Sequence, residues 1–124
     1  MNLSEYIYII KCPIDNAVIY VGKTVAPLAR SRQHFQYDPY PCSPISIHIN
    51  TLLKKGLTPV FEIIETIDLV TTIMDRKATA KNREIYWINF YYRNEESRIL
   101  NKCYIYKDYD KNTFAKIGTK EKKK

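Results

Sequence analysis

The apolar and polar positions near the start of the chain define two short segments of β character. Tyr6 to Lys11 (Tyr-Ile-Tyr-Ile-Ile-Lys) and Val18 to Lys23 (Val-Ile-Tyr-Val-Gly-Lys) are rich in β-branched and aromatic residues. Pro13-Ile14-Asp15-Asn16 between them is turn chemistry, so a hairpin is predicted. Pro27 suits the first turn of a helix running to about Phe35, and the three prolines between Tyr37 and Pro44 predict a loop. Ile45, Ile49, Leu52 and Leu53 then recur at helical spacing, and Gly56 follows two lysines. This predicts a helix over Ser46 to Lys55 with a glycine C-cap. Val60 to Glu65 reads as a third strand. Asp68 is a candidate N-cap for a long helix from about Leu69 to Tyr92, of which Arg83 to Tyr92 is the part with the better helix formers. Ile99-Leu100-Asn101 and Cys103 to Tyr106 read as short extended pieces. The order β-β-α-α-β-α-(β) predicts an α+β domain with a small central mixed or antiparallel sheet of about three strands flanked by helices.

Composition narrows the class. With 45% apolar residues, three glycines and six prolines, the 124-residue chain has the make-up of one globular domain, over residues 1–114, and not of a disordered or fibrous protein. Three isolated cysteines (Cys12, Cys42, Cys103) without Cys-x-x-Cys spacing argue against a disulfide framework and a structural zinc site. The first residues lack a signal-peptide pattern and no apolar run is long enough to span a membrane. The expectation is a soluble protein of a reducing compartment, cytoplasmic or nuclear.

The net charge of +7 is unevenly placed. Residues 115–124 carry five basic side chains and one acidic, residues 56–114 nine of each, and residues 1–55 six basic and three acidic. The Lys-rich end, Lys120 to Lys124, reads as a solvated, disordered tail or as a non-specific phosphate contact. A mild basic bias is left in the first half.

Candidate chemistry falls in three places. On the helix that starts at Pro27, Leu28 and Phe35 share one side and are expected to pack. Arg30 and His34, four apart, share nearly the opposite side. That pair is either a solvated surface pair or a phosphate-binding guanidinium beside a titratable imidazole. Glu84 shares a helical stripe with Trp87, Ile88 and Tyr91, so its carboxylate needs either a salt bridge, with Lys77, Lys81 or Arg83, or a bound cation. In the hairpin, Tyr6 and Tyr8 share one strand face, and Tyr20 and Gly22 share a face of the other strand, where Gly22 allows a ligand or backbone to come close. These aromatics either pack, or present a phenol that could orient or deprotonate a water if a cation such as Lys23, Arg30 or His34 lowers its pKa.

In combination, these residues are similar to the motifs of a known family. Tyr6-Ile7-Tyr8, Tyr20-Val21-Gly22, Arg30-x-x-x-His34, Glu84-x-x-Trp87-Ile88 and Leu100-Asn101, in that order, resemble the GIY-YIG nucleases over about residues 5 to 104. Tyr6 stands where the family often has glycine, and Val21 where it has isoleucine. The resemblance implies a DNA endonuclease that hydrolyses phosphodiester bonds with a single divalent ion, Mg²⁺ or Mn²⁺. It implies that Glu84 is the metal ligand, that Tyr8 positions or deprotonates the attacking water, and that Tyr20 hydrogen-bonds in the same site. Arg30 would stabilise charge on the phosphorane, His34 would help to activate the tyrosine or the water, and Asn101 would support the site by hydrogen bonding. Lys23, Arg32 and Gly22 are candidate DNA contacts, and a homodimer or a targeting partner could select the substrate. The alternative is a non-catalytic nucleic-acid-binding or partner-binding domain on the same scaffold.

Overall fold

The computed structural model describes residues 4–67, 73–94 and 96–101. Three strands and three helices follow one another as β1 (Glu5–Lys11), β2 (Val18–Thr24), α1 (Pro27–His34), α2 (Pro44–Lys54), β3 (Val60–Ile67) and α3 (Ile73–Tyr92). The sheet has the order β2-β1-β3, and both pairings are antiparallel. This is the expected α+β arrangement. Asp68, the expected cap of the long helix, the extended piece Cys103 to Tyr106 and the Lys-rich tail lie outside the described residues.

Central strand β1 is buried on both faces, which is why Ile7, Tyr8, Ile9 and Ile10 form an unbroken apolar run instead of alternating with polar residues. Ile7 and Ile9 pack with Val18, Val21 and Ile67 of the neighbouring strands against Ala80 and Ile88 of α3. Tyr8 and Ile10 pack on the opposite face with Ile19 against Ile45, Ile49 and Leu52 of α2. The register shifts between Ile10 and Lys11 in the β1–β2 pairing, so Val18 and Ile19 can each serve a different face. A second shift, between Ile7 and Tyr8, leaves Ile64 as the extra residue of β3.

Local signals fix the ends of the elements. Asn16 closes the hairpin in the left-handed region at φ 66°, with its N–H donating to the Cys12 carbonyl. Helix α2 starts two residues earlier than expected, at Pro44. The Ser43 hydroxyl accepts from the Ser46 N–H, and the Ser46 hydroxyl accepts from the Ser43 N–H, so Ser43 is the N-cap and Pro44 the first helical residue. At the other end Gly56 takes φ 76°, its N–H donating to the Leu53 carbonyl while that of Leu57 donates to Leu52. This is a Schellman cap, and Leu57 returns to the core beneath it.

Helix α1 corrects an expectation about its faces. Leu28 is 65% exposed and no residue of the helix is fully buried. The side turned to the sheet is the one that carries Arg30 and His34, and Phe35, just past the helix, meets the Phe61 ring edge-on at 6.3 Å. An eight-residue helix has little apolar surface to offer. Here the buried hydroxyl of Tyr8 holds it through polar contacts.

Candidate active site

The site is built around a phenol that the sheet buries. Tyr8 is 1% exposed, its ring stacked on Phe61 with centroids 4.5 Å apart. Directly across from it in the β1–β2 register is Gly22. A Cβ on residue 22 would lie 2.4 Å from the Cζ and Oη atoms of that ring. The close approach expected at Gly22 is therefore made by a side chain of the same hairpin, and only glycine leaves room for it. The Tyr8 oxygen lies 2.8 Å from His34 Nε2 and accepts from Arg30 Nε at 3.3 Å. Arg30 is steadied by donating from Nη1 to the Gln33 carboxamide at 2.9 Å. Tyr20, on the same sheet face as Tyr8, meets the His34 ring edge-on at 5.5 Å.

The Tyr8 oxygen lies behind its partners Arg30 and His34, which with Tyr20, Gln33, the Ser43–Ser46 turn, Glu84, Ile88, Leu100 and Asn101 line a cavity of about 440 Å³. The cavity sits at the free edge of β2, where α1, the start of α2, α3 and the segment 98–101 converge. Asn101 reaches this edge through its side chain. Its Oδ1 accepts from the Val21 N–H at 3.0 Å and its Nδ2 donates to the Val21 carbonyl at 2.8 Å. Arg98 and Leu100 donate from their backbones to the carbonyls of Val18 and Ile19. The expected extended piece at Ile99 to Asn101 thus lies along β2, and the carboxamide of Asn101 stands in for a strand's peptide group.

Burial sets the electrostatics. Desolvation pushes the Tyr8 phenol up to about 12, and the hydrogen bond from Arg30 offsets this only in part. The guanidinium pulls the phenol down, as a neighbouring cation should, but the interior disfavours phenolate by more than this one charge favours it. Desolvation, helped by the nearby charge of Arg30, lowers His34 to about 4, so the imidazole is neutral at physiological pH. Burial opposes the charge of Arg30, but its contacts with Tyr8 and Tyr20 outweigh it and hold the guanidinium more firmly protonated.

Glu84 lines the same cavity. Its carboxyl is raised by desolvation, with Lys23 and Lys81 acting in the opposite direction. The expected salt bridge with Lys77 or Arg83 does not form. Lys77 lies 3.4 Å from Glu5, and Arg83 donates to both carboxylate oxygens of Glu65 at 3.0 and 3.1 Å. The expected stripe also divides. Ile88 goes to the cavity with Glu84, whereas Trp87 turns toward β3 and donates to Glu65 at 2.7 Å. Lys23, offered as a neighbour of a hairpin tyrosine, pairs in register with Ile7 on the α3 face and acts on Glu84 instead. Arg32 is exposed on α1, outside the cavity wall.

The chain thus brings together Tyr8, Tyr20, Arg30, His34, Glu84 and Asn101. Sequence reading missed Gln33 and the Ser43–Ser46 turn, whereas Lys81, named there as a partner of Glu84, does act on its carboxyl. Gln33 could have been found from its spacing of three from Arg30.

Among the described residues no cluster of three or more His, Cys, Asp or Glu forms a closed metal cage. A desolvated carboxyl that lines the cavity, itself in no salt bridge among the described residues although Lys23 and Lys81 are near enough to act on it, suits a hard cation that completes its shell with water and phosphate oxygens. No helix among the described residues is long and apolar enough to cross a membrane. A family model described as the GIY-YIG catalytic domain matches residues 4–97. No curated protein and no solved structure matches the chain.

Proposed function

Since the chain belongs to the GIY-YIG catalytic domain family, which is of nuclease type, we propose that it is a divalent-metal-dependent DNA endonuclease acting in the cavity at the β2 edge. The observation that carries this reading is the convergence of Arg30, His34 and Tyr20 with Glu84 on the lining of one cavity. Hydrolysis of a phosphodiester needs three things from a protein: a counter-charge for the phosphorane, a path for the proton of the attacking water, and a place for the metal.

Arg30 supplies the first, its permanent charge on the cavity lining beside Tyr20. Tyr8 and His34 supply the second as a unit. A phenol near 12 cannot hold a phenolate at neutral pH, but it can pass a proton on. As its oxygen takes the water's proton, its own moves to Nε2 of the neutral imidazole, and Arg30 offsets the transient charge on the oxygen. Tyr20, on the cavity wall, orients the water. The water oxygen bonds to phosphorus and the bond to the sugar oxygen breaks; that oxygen takes a proton from solvent water, and the His34 imidazolium returns one to solvent, which closes the cycle. Glu84 would hold the cation, which when bound neutralises phosphate charge and acidifies the attacking water. Lys23 and Arg32 are read as contacts to the DNA backbone outside the cavity.

Supercoiled plasmid tests this reading. Wild-type protein is expected to nick it with Mg²⁺ and not with EDTA. Glu84→Gln should lower the rate by about a hundredfold or more, the usual scale for losing a group that stabilises transition-state charge, while DNA affinity measured in EDTA stays within about twofold of wild type. Binding without Mg²⁺-dependent nicking would instead establish the non-catalytic alternative.

A further inference from the structure

We infer that Tyr40, on the loop between α1 and α2, is a stacking platform for an unpaired nucleobase of the DNA strand that enters the cavity. The inference rests on the nuclease reading for its substrate and on the loop's own construction for its site.

Tyr40 is 86% exposed, the most exposed of the large apolar side chains among the described residues. An exposed ring alone carries nothing, since single apolar residues are common on surfaces. The backbone beneath this one, however, is built. Asn50 of α2, itself buried, accepts from the Asp38 N–H at 3.0 Å and donates to the Asp38 carbonyl at 2.6 Å. The Asp38 carboxylate in turn accepts from the Tyr40 N–H at 2.9 Å. Pro39 and Pro41 fix φ on either side of the tyrosine. A buried amide, an aspartate and two prolines thus hold the backbone under a ring that stands in solvent, so a ligand covering the ring would have little backbone left to order.

The loop also starts and finishes at the cavity. It leaves the wall at His34 and rejoins it at Ser43, three residues past Tyr40. Three residues of chain span at most about 10 Å, roughly three nucleotides along one strand. The charge on this part of the molecule selects the class of ligand. Between Asp15 and Glu62 the sequence has five Lys and Arg and one acidic residue, Asp38, whose carboxylate the loop itself uses. Lys54 lies 5.9 Å from the ring centre of Tyr37, which keeps a cation next to the second exposed aromatic of the loop. Aromatic faces set among cations and close to the cavity that Arg30 lines match single-stranded nucleic acid, whose bases stack on the rings while the backbone meets the positive charge.

The test compares a duplex containing a short single-stranded gap with the same duplex fully paired, bound in EDTA so that cleavage plays no part. A fluorescent aminopurine in the gap reports stacking by quenching. Wild-type protein is expected to prefer the gapped DNA and to quench the probe. Tyr40→Ala should reduce affinity for gapped DNA by about five- to a hundredfold, abolish the quenching and leave fully paired DNA unaffected. Tyr40→Phe, which keeps the ring, should behave as wild type. A wild type without preference for the gap, or a Tyr40→Ala protein that keeps both preference and quenching, overturns the inference. Nicking of plasmid with Mg²⁺ is read separately, so loss of the nuclease reading and loss of the stacking site are distinct results.

Discussion

At the scale of single residues, the site depends on a missing side chain. Gly22 lies opposite Tyr8, and the Tyr8 ring occupies the space that any Cβ would need. Gly22→Ala must therefore displace either the ring or β2. Because the ring is also stacked on Phe61 and bonded to His34 and Arg30, it cannot simply swing away. The expected cost is about 1–3 kcal/mol, as for other overpacked cores, measured by urea denaturation. Nicking should fall further than stability alone would explain, since the phenol oxygen would leave its two partners. A variant as stable and as active as wild type would show that the ring yields without consequence. Tyr8 itself was legible as a residue for core or for chemistry, and the structure puts its ring in the core and its oxygen against His34 and Arg30.

At the scale of elements, the site needs an edge strand that is not left bare. Among the described strands β2 pairs with β1 alone, so its outer N–H and C=O groups would be open to another strand. The segment from Arg98 to Asn101 covers them, fastened at its start by the ion pair of Arg98 with Asp15 in the hairpin turn. Asn101→Ala removes both bonds to Val21, a residue with no solvent exposure, and leaves its peptide groups unpaired. The expected loss is about 1–3 kcal/mol. Amide exchange should report it locally: the Val21 N–H should exchange faster while the Ala80 and Ile88 amides of α3 keep their protection. Uniform loss of protection would assign Asn101 to global stability instead. Helix α1 shows the limit of periodicity at this scale. The spacing of Arg30 and His34 was readable, but which side of so short a helix faces inward was decided by a buried hydroxyl from another element.

At the scale of the whole molecule, the burial of His34 links folding to pH. The folded imidazole titrates near 4 and its ordinary value is 6.5, so between these values the unfolded chain binds more protons than the folded one. Stability is therefore present in full above about pH 6.5 and declines as pH falls toward 4. Asp15 adds a separate and lower window. The Arg98 hydrogen bond holds its carboxyl down to about 2, and the stability this provides is lost only as pH falls below its ordinary 3.8. Thermal unfolding followed from pH 7.5 to 4 should show a falling Tm in wild type and a flatter profile in His34→Gln, which cannot gain the proton. Parallel profiles for the two proteins would mean that the ring at position 34 is accessible enough to take up a proton without unfolding.

The sequence by itself determined the order of the elements, the hairpin turn and the glycine cap of α2. Those follow from local chemistry: Gly56 ends a helix because it tolerates a positive φ, and the tripeptides around Tyr8 and Tyr20 are β-prone wherever they sit. Only the tertiary structure decided which residues meet. It turned α1 so that Arg30 and His34 face the sheet, sent Trp87 to Glu65 and left Glu84 at the cavity, and moved the tyrosine and histidine away from their ordinary proton affinities. Contacts across 22 to 80 positions of chain, and the loss of water that accompanies them, are properties of packing. No local pattern of residues encodes them.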